Sequence, residues 1–355
     1  MNEDLKSKLQ QSLEQVKDKL AVKTAALDGF HLTDDNMLMV SLAVNPDEGA
    51  KLEDLRQSLQ AELEELSGIK GVSVVLTAER SAQPKGVEKT DVSDKDMQAR
   101  PIAPHVKNII AVASGKGGVG KSTVAANLAL AFADAGYKTG LVDADIYGPS
   151  QHRMMGVFDR IEGTSDRTLT PLKAHGIQFI SIGSMVDEDR PLVWRGPMVQ
   201  TAVLQFFRDV IWGDMDVLVV DLPPGTGDAQ MTLAQKVPLT GAVIVSTPQD
   251  VAMIDARKAI NMFEKMDIPI LGIIENMSQH TCSNCGHTEH IFGHHGAEKE
   301  AKERNVPFLG ALPLDLKIRK TSDEGTPIYS EDKYHPASQI FKEMVPTLLG
   351  LEKAA

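Results

Sequence analysis

Two rhythms of apolar and polar residues alternate along most of this chain. Short, nearly unbroken apolar runs, such as Ile109-Ile110-Ala111-Val112 and the stretches at 140–143, 177–182, 217–221, 242–246, 270–274 and 308–312, predict strands buried on both faces. Between them, the segments at 124–130, 199–210, 229–235, 251–266 and 296–304 have the composition and spacing of helices. Steady alternation of the two predicts an α/β fold built on a doubly wound, mainly parallel sheet.

The first 80 residues follow the same logic on a smaller scale. Leu5, Leu9, Leu13, Val16 and Leu20 fall on one helical face, and Leu52, Leu55, Leu59, Leu63 and Leu66 form a second such stripe. Residues 37–44 and 72–76 read as strands. A small α/β domain at 1–80 is therefore expected. Residues 81–104, with Gln83-Pro84-Lys85 and Asp94-Lys95-Asp96 and little periodicity, read as a linker to a main domain at 105–355.

Composition narrows the class. The chain has 355 residues, of which 42% are hydrophobic, enough for one large soluble domain and a smaller one. No apolar run approaches the ~20 residues of a membrane span, and Met1-Asn2-Glu3-Asp4-Leu5-Lys6 does not read as a signal peptide. A cytoplasmic protein without a membrane partner is expected. The net charge of -12, half of it in the first 80 residues, argues against a nucleic-acid partner held through its phosphates. Only Cys282 and Cys285 are present, which excludes a disulfide framework.

The chemistry begins at Ser114-Gly115-Lys116-Gly117-Gly118-Val119-Gly120-Lys121-Ser122-Thr123, which fits G-x-x-x-x-G-K-[ST] after a strand and before a helix. Such a loop wraps main-chain N–H groups around phosphates, and glycine permits both the backbone angles and the close approach. Lys121 is expected on the β/γ-phosphates and Ser122 on Mg²⁺. Downstream, Asp143-Ala144-Asp145 closes a strand at the edge where open α/β sheets bind ligands. Asp221 closes another, in Val219-Val220-Asp221-Leu222-Pro223-Pro224-Gly225-Thr226-Gly227-Asp228, where an Asp can hold Mg²⁺ through water and Gly225 can follow a departing γ-phosphate.

The loop with its second lysine, Lys116, resembles the deviant P-loop of MinD/ParA-type ATPases (SIMIBI class). The Asp221–Asp228 string, Trp194-Arg195-Gly196-Pro197-Met198 and the helix bearing Asp255-Ala256-Arg257-Lys258 resemble the iron-sulfur cluster carriers of the Mrp/ApbC type within it. The resemblance spans about residues 101–350. It implies that Lys116 crosses a homodimer to touch the partner's nucleotide, that Asp145 orients the attacking water, and that Asp143 supports the Mg²⁺ shell. It further implies that Asn276, after the strand at 270–274, reads adenine, with Pro313 beside the same base. The small N-terminal domain also resembles that of many bacterial carriers.

Cys282-Ser283-Asn284-Cys285 follows Asn276 directly, and five of the ten histidines lie between residues 280 and 295. A C-x-x-C pair at a loop chelates metal, and with neighbouring His287 and His290 a structural zinc knuckle is the rival to a cluster site. His295 stands where the family has glycine. The resemblance implies ATP, Mg²⁺ and a [4Fe-4S] cluster as cofactors, with a cluster donor or scaffold and apo iron-sulfur proteins as partners. The alternative functions are a positioning or scaffold ATPase braced by zinc, and a redox enzyme resembling nitrogenase iron protein.

Overall fold

A computed structural model of the chain describes residues 12–13, 16–17, 25–32, 37–44, 51–64, 71–78, 100–164, 168–185 and 196–350. The chain divides into two compact units, residues 1–87 and 88–355.

In the first unit, β1 (Ala26–Leu32) pairs antiparallel with β2 (Met37–Val44), which pairs in parallel with β3 (Gly71–Ala78); α1 (Lys51–Glu64) makes the crossover between the parallel strands. Leu55, Leu59 and Leu63 of α1 are buried with Leu38, Val40, Leu42, Val72 and Val74, as the stripe predicts, and helical Leu13 and Val16 join them. Leu5, Leu9, Leu20, Leu66 and residues 81–99 lie outside the described residues. Strand β1 is absent from the sequence-based expectation because Asp28 and Gly29 weaken its local preference. Pairing with β2 overrides that preference, and the register shifts between Leu27 and Gly29 to admit the poor strand formers.

The second unit is an eight-stranded sheet. Its strands are β4 (Val106–Ala113), β5 (Thr139–Asp143), β6 (Leu172–Ala174), β7 (Ile177–Ser181), β8 (Met215–Asp221), β9 (Gly241–Ser246), β10 (Ile270–Glu275) and β13 (Phe308–Ala311). They run in the order β13-β10-β9-β4-β8-β5-β7-β6, all parallel except the β6–β7 pair. Successive strand residues enter opposite layers. Ile109, Ala111 and Ala113 join one core with Leu218 and Val220, while Ile110 and Val112 join the other with Val217 and Val219.

The first layer is covered by α4 (Gly196–Arg208), α5 (Asp228–Lys236), α6 (Asp250–Lys265) and α7 (Gly296–Arg304), through Phe206, Phe207, Leu233, Phe263 and Ala301. The second is covered by α2 (Lys121–Asp134) and two unforeseen helices, α9 (Ile328–Glu331) and α10 (Pro336–Leu348). In α10, Phe341, Met344, Val345 and Leu348 recur at helical spacing, and each such side chain taken out of water contributes about 1.5–3 kcal/mol. Three short elements also escape sequence reasoning: α3 (Gln151–Met154), α8 (Leu316–Asp323) and the antiparallel edge strand β6.

Sheet order sets the site. From β4 the chain crosses to β5 and on to the β6–β7 edge, returns to insert β8 between β4 and β5, and then builds outward on the other side through β9, β10 and β13, so the carboxyl end of β4 is the switch point, where such sheets bind ligands.

Candidate functional site

At that switch point the loop 114–120 leaves β4 and opens α2. Gly120 caps α2 at φ +85° without a side-chain acceptor, so the first amides of the helix remain available to an anion. Gly118 is likewise left-handed, at φ +79°. Gly115 packs on the main chain of α6, where a Cβ would lie 2.0 Å from the carbonyl oxygen of Asp255. Val119 is buried, and Gly117 passes Pro224 of the switch loop. This is a cradle that side chains would fill.

Lys121 is buried and ion-paired with Asp221 Oδ1, with Asp145 Oδ2 at 3.7 Å and Ser122 Oγ at 3.4 Å from its Nζ. Four of the predicted residues thus converge. Burial raises the Asp145 carboxyl above the ordinary range, against the pull of Lys121. Thr123 borders the neighbouring cleft. Gly225, at φ +91°, donates its N–H to Ser114 O at 2.9 Å, which ties the switch loop to the start of the phosphate loop. Lys116 is exposed, and its ammonium has no partner among the described residues.

Asp143 lies behind Asp145 at the end of β5. It is fully buried. Oδ2 accepts the N–H groups of Ser150 (3.0 Å) and Gln151 (3.0 Å) and the Ser181 hydroxyl (2.7 Å), while Oδ1 accepts the Asp145 N–H (3.2 Å). Burial, then the charge of Asp221, pushes it up to about 7. A carboxyl so occupied shapes the loop that carries Asp145.

Beside the loop lies a cleft of about 490 Å³ bordered by Gly120, Thr123, Asn276, Met277 and Pro313. The Asn276 Nδ2 donates one hydrogen to Val119 O at 2.8 Å, which leaves its second N–H and its amide oxygen for a ligand. Arg153 and Met154 of α3 and Ile318, Arg319 and Ser322 of α8 complete the walls. Sequence reasoning missed these residues because neither helix announces itself by periodicity. The Asp315 side chain, accepting from Lys317 N at 2.6 Å to cap α8, was the available signal.

Cys282 and Cys285 sit on a hairpin between β11 (His280–Thr281) and β12 (Thr288–Glu289), closed by Cys282 N–H to His287 O at 2.8 Å. Cys285 is exposed and Cys282 half-buried. The N–H groups of Cys285 and Asn284 aim at the Cys282 sulfur and hold its thiol below the usual range, as a thiolate ligand requires. Among the described residues no three of His, Cys, Asp and Glu come together as a metal site. His290 does not turn to the thiols. Its Nδ1 meets Ser278 O at 2.9 Å, which means it carries the hydrogen, and its ring stacks on His294 at 3.9 Å. His294 stacks in turn on His295 at 3.4 Å, and burial together with these neighbours lowers its basicity.

The hairpin is rooted in the cleft wall. Ser278 donates both N–H and Oγ–H to Leu312 O at 3.0 Å, and Leu314 N–H donates to Gln279 O at 2.8 Å. Behind it, Glu275 Oε2 accepts the Ala297 N–H at the start of α7. His295 precedes that helix at φ +57°, which accounts for the family's glycine there: the position needs the left-handed region.

Trp194 and Arg195 lie outside the described residues, and Gly196-Pro197-Met198 open α4. Arg257 bonds Glu300 at 2.6 Å, so this motif clamps α6 to α7. Glu300 is buried and also accepts from Arg304 at 2.6 Å. Burial alone would raise its carboxyl, but the two guanidiniums hold it below the ordinary range. Glu300→Ala is expected to cost about 2 kcal/mol in urea unfolding, as for hydrogen bonds to charged groups. Arg257→Ala should cost less, because that side chain is 48% exposed and Arg304 still satisfies Glu300. Equal losses would contradict this ranking.

The family model described as "ParA: NUBPL iron-transfer P-loop NTPase" matches residues 105–349. The iron-sulfur cluster carrier protein of Pseudomonas fragi is 52% identical over 259 residues, which make up 69% of this chain and 90% of that protein. Among solved structures, the nucleotide-binding protein of Archaeoglobus fulgidus in complex with ADP superposes with a TM-score of 0.58 at 37% identity, over 70% of this chain and 96% of that one. The cell-division ATPase MinD of Pyrococcus furiosus superposes with a TM-score of 0.53 over 69% of this chain and 99% of its own, and at 22% identity that likeness bears on the fold alone.

Proposed function

The chain belongs to the NUBPL/ParA family of iron-transfer P-loop NTPases, and from that premise we propose that it is an ATP-dependent carrier of a [4Fe-4S] cluster. The cluster is its cargo, held between two copies of the chain and passed to apo iron-sulfur proteins after delivery by a donor or scaffold, in the cytoplasm. ATP hydrolysis acts as the switch.

The observation that carries the reading is the thiol pair: two cysteines, outward on a hairpin, with no third ligand near them among the described residues. Such clusters are usually held by four thiolates, and a twofold axis doubles two into four. A cluster held at a junction between chains is released when the chains part, which suits a carrier. The absence of a third ligand from that group also weighs against a zinc knuckle closed within one chain.

In this reading the main-chain cradle and Lys121 bind the phosphates, and the side-chain amide of Asn276, with Pro313, meets the base. Ser122 and Asp221 hold Mg²⁺, which neutralises phosphate charge. Asp145 orients the attacking water, and Asp143, which holds the Asp145 loop in shape, supports the Mg²⁺ shell from behind. Lys116, without a partner for its ammonium among the described residues, reaches the partner's nucleotide. The hydrogen bonds from Ser278 to Leu312 and from Leu314 to Gln279 let a change in the cleft move the root of the cysteine hairpin.

Anaerobic reconstitution tests the proposal. About four iron and four sulfide per dimer are expected, followed by activation of an apo [4Fe-4S] enzyme on mixing. A monomer holding one zinc that is lost with His287 or His290 would overturn it in favour of a scaffold ATPase.

A further inference from the structure

Gln151 has no role in the reading above, yet three pieces of the nucleotide site meet on it. Its side chain is fully buried. Nε2 gives one hydrogen to the main-chain oxygen of Ser122 at 3.0 Å and the other to Oδ2 of Asp221 at 2.8 Å. These acceptors decide which end of the amide is which, since the reversed orientation would set Oε1 against a carbonyl and a carboxylate oxygen. Its own main-chain N–H is bound by Asp143 Oδ2, so the residue cannot drift from the loop. No protein donor reaches Oε1 among the described residues.

Asp221 is fully buried, and its other oxygen, Oδ1, is held by Lys121. When nucleotide binds, Lys121 has phosphates to satisfy, and the second donor on Asp221 becomes decisive. A buried carboxylate stripped of donors is costly and free to turn. We propose that Gln151 is a positioning residue for Mg²⁺: it fixes the orientation of Asp221 while Lys121 changes partners, and it ties that carboxylate to Ser122, the other residue assigned to the ion. An amide is the side chain suited to this, because it supplies two donors at a fixed angle and no charge. The inference rests on the assignment of Ser122 and Asp221 to Mg²⁺.

The test is ADP binding to the full-length protein, by calorimetry, in EDTA and across a Mg²⁺ titration. Gln151→Met keeps length and volume but removes both donors. Affinity in EDTA should stay within about twofold of the unaltered protein, while the Mg²⁺ concentration for half-maximal tightening rises about tenfold, the value of one charge-assisted hydrogen bond. A parallel loss with and without Mg²⁺, or an unchanged midpoint, would overturn the inference. If Gln151→Met fails to fold, Gln151→Leu, which is shorter and likewise has no donor, takes its place. The same midpoint shift is expected, and its absence overturns the proposal equally. An unaltered protein whose ADP affinity ignores Mg²⁺ would remove the metal assignment and this inference together, whereas a Mg²⁺-sensitive protein with indifferent variants removes only the inference.

Discussion

Alanine at either Cys282 or Cys285 is expected to abolish cluster loading and leave nucleotide binding unchanged. Each substitution occurs twice in a dimer, so a cluster that needs four thiolates retains two. Retained iron should fall by more than about tenfold, because losing two of four ligands removes the closed coordination that holds a cluster. The nucleotide cleft should not feel the change. Cys285 is exposed, and the bonds that root the hairpin run through Ser278, Gln279 and Leu314, none of which involves sulfur. His290→Ala serves as the control. Its ring is engaged with Ser278 O and His294, so iron content should stay near that of the unaltered protein. Iron and sulfide analysis after anaerobic reconstitution, with fluorescent ADP titration of the same samples, reads both halves. Full iron content in Cys285→Ala would end the thiolate assignment.

The two loop lysines should fail in different ways. Lys121→Ala removes a buried cation from between Asp221 and Asp145, so incoming phosphates lose a partner and face two uncompensated carboxylates. A charge-assisted contact is worth about 1.5–3 kcal/mol, which predicts a loss of affinity of about 10- to 100-fold. Lys116→Ala removes an exposed side chain with no partner among the described residues, and ATP affinity should change little. Hydrolysis should fall by about 10³-fold, because a cation supplied in trans acts on charge that develops in the transition state. Mixing Lys116→Ala with Asp145→Ala chains should restore part of the activity, since one site of the mixed dimer then has its own Asp145 and the partner's lysine. Phosphate release by Lys116→Ala at the rate of the unaltered protein would exclude the sandwich.

The family motifs are legible because each is contiguous. The phosphate loop must follow a strand and open a helix, and Ala113 through Ser122 state both requirements within ten residues. The strand positions are legible for a related reason: burial on both faces requires a nearly unbroken apolar run, and β4, β8 and β9 are such runs. Asp143 shows the limit of that reading. Its sequence neighbourhood is that of a metal-supporting carboxylate; the donors that hold it include Ser150, Gln151 and Ser181, and no local pattern declares that Ser181 will lie beside it.

By itself, then, the sequence determined the α/β class, the phosphate loop, the Walker-B strand and the paired cysteines, all of which depend on residues close together in the chain. Tertiary structure alone decided how they are joined. Gln151 meets Asp221 across 70 positions, and Asn276 gives one amide hydrogen to Val119 across 157. Ser278 ties the cysteine hairpin to Leu312, and Arg257 clamps α6 to α7 through Glu300. Contacts of this length leave no periodicity or spacing behind, because the parallel sheet sets them by bringing strand ends from distant parts of the chain to one edge.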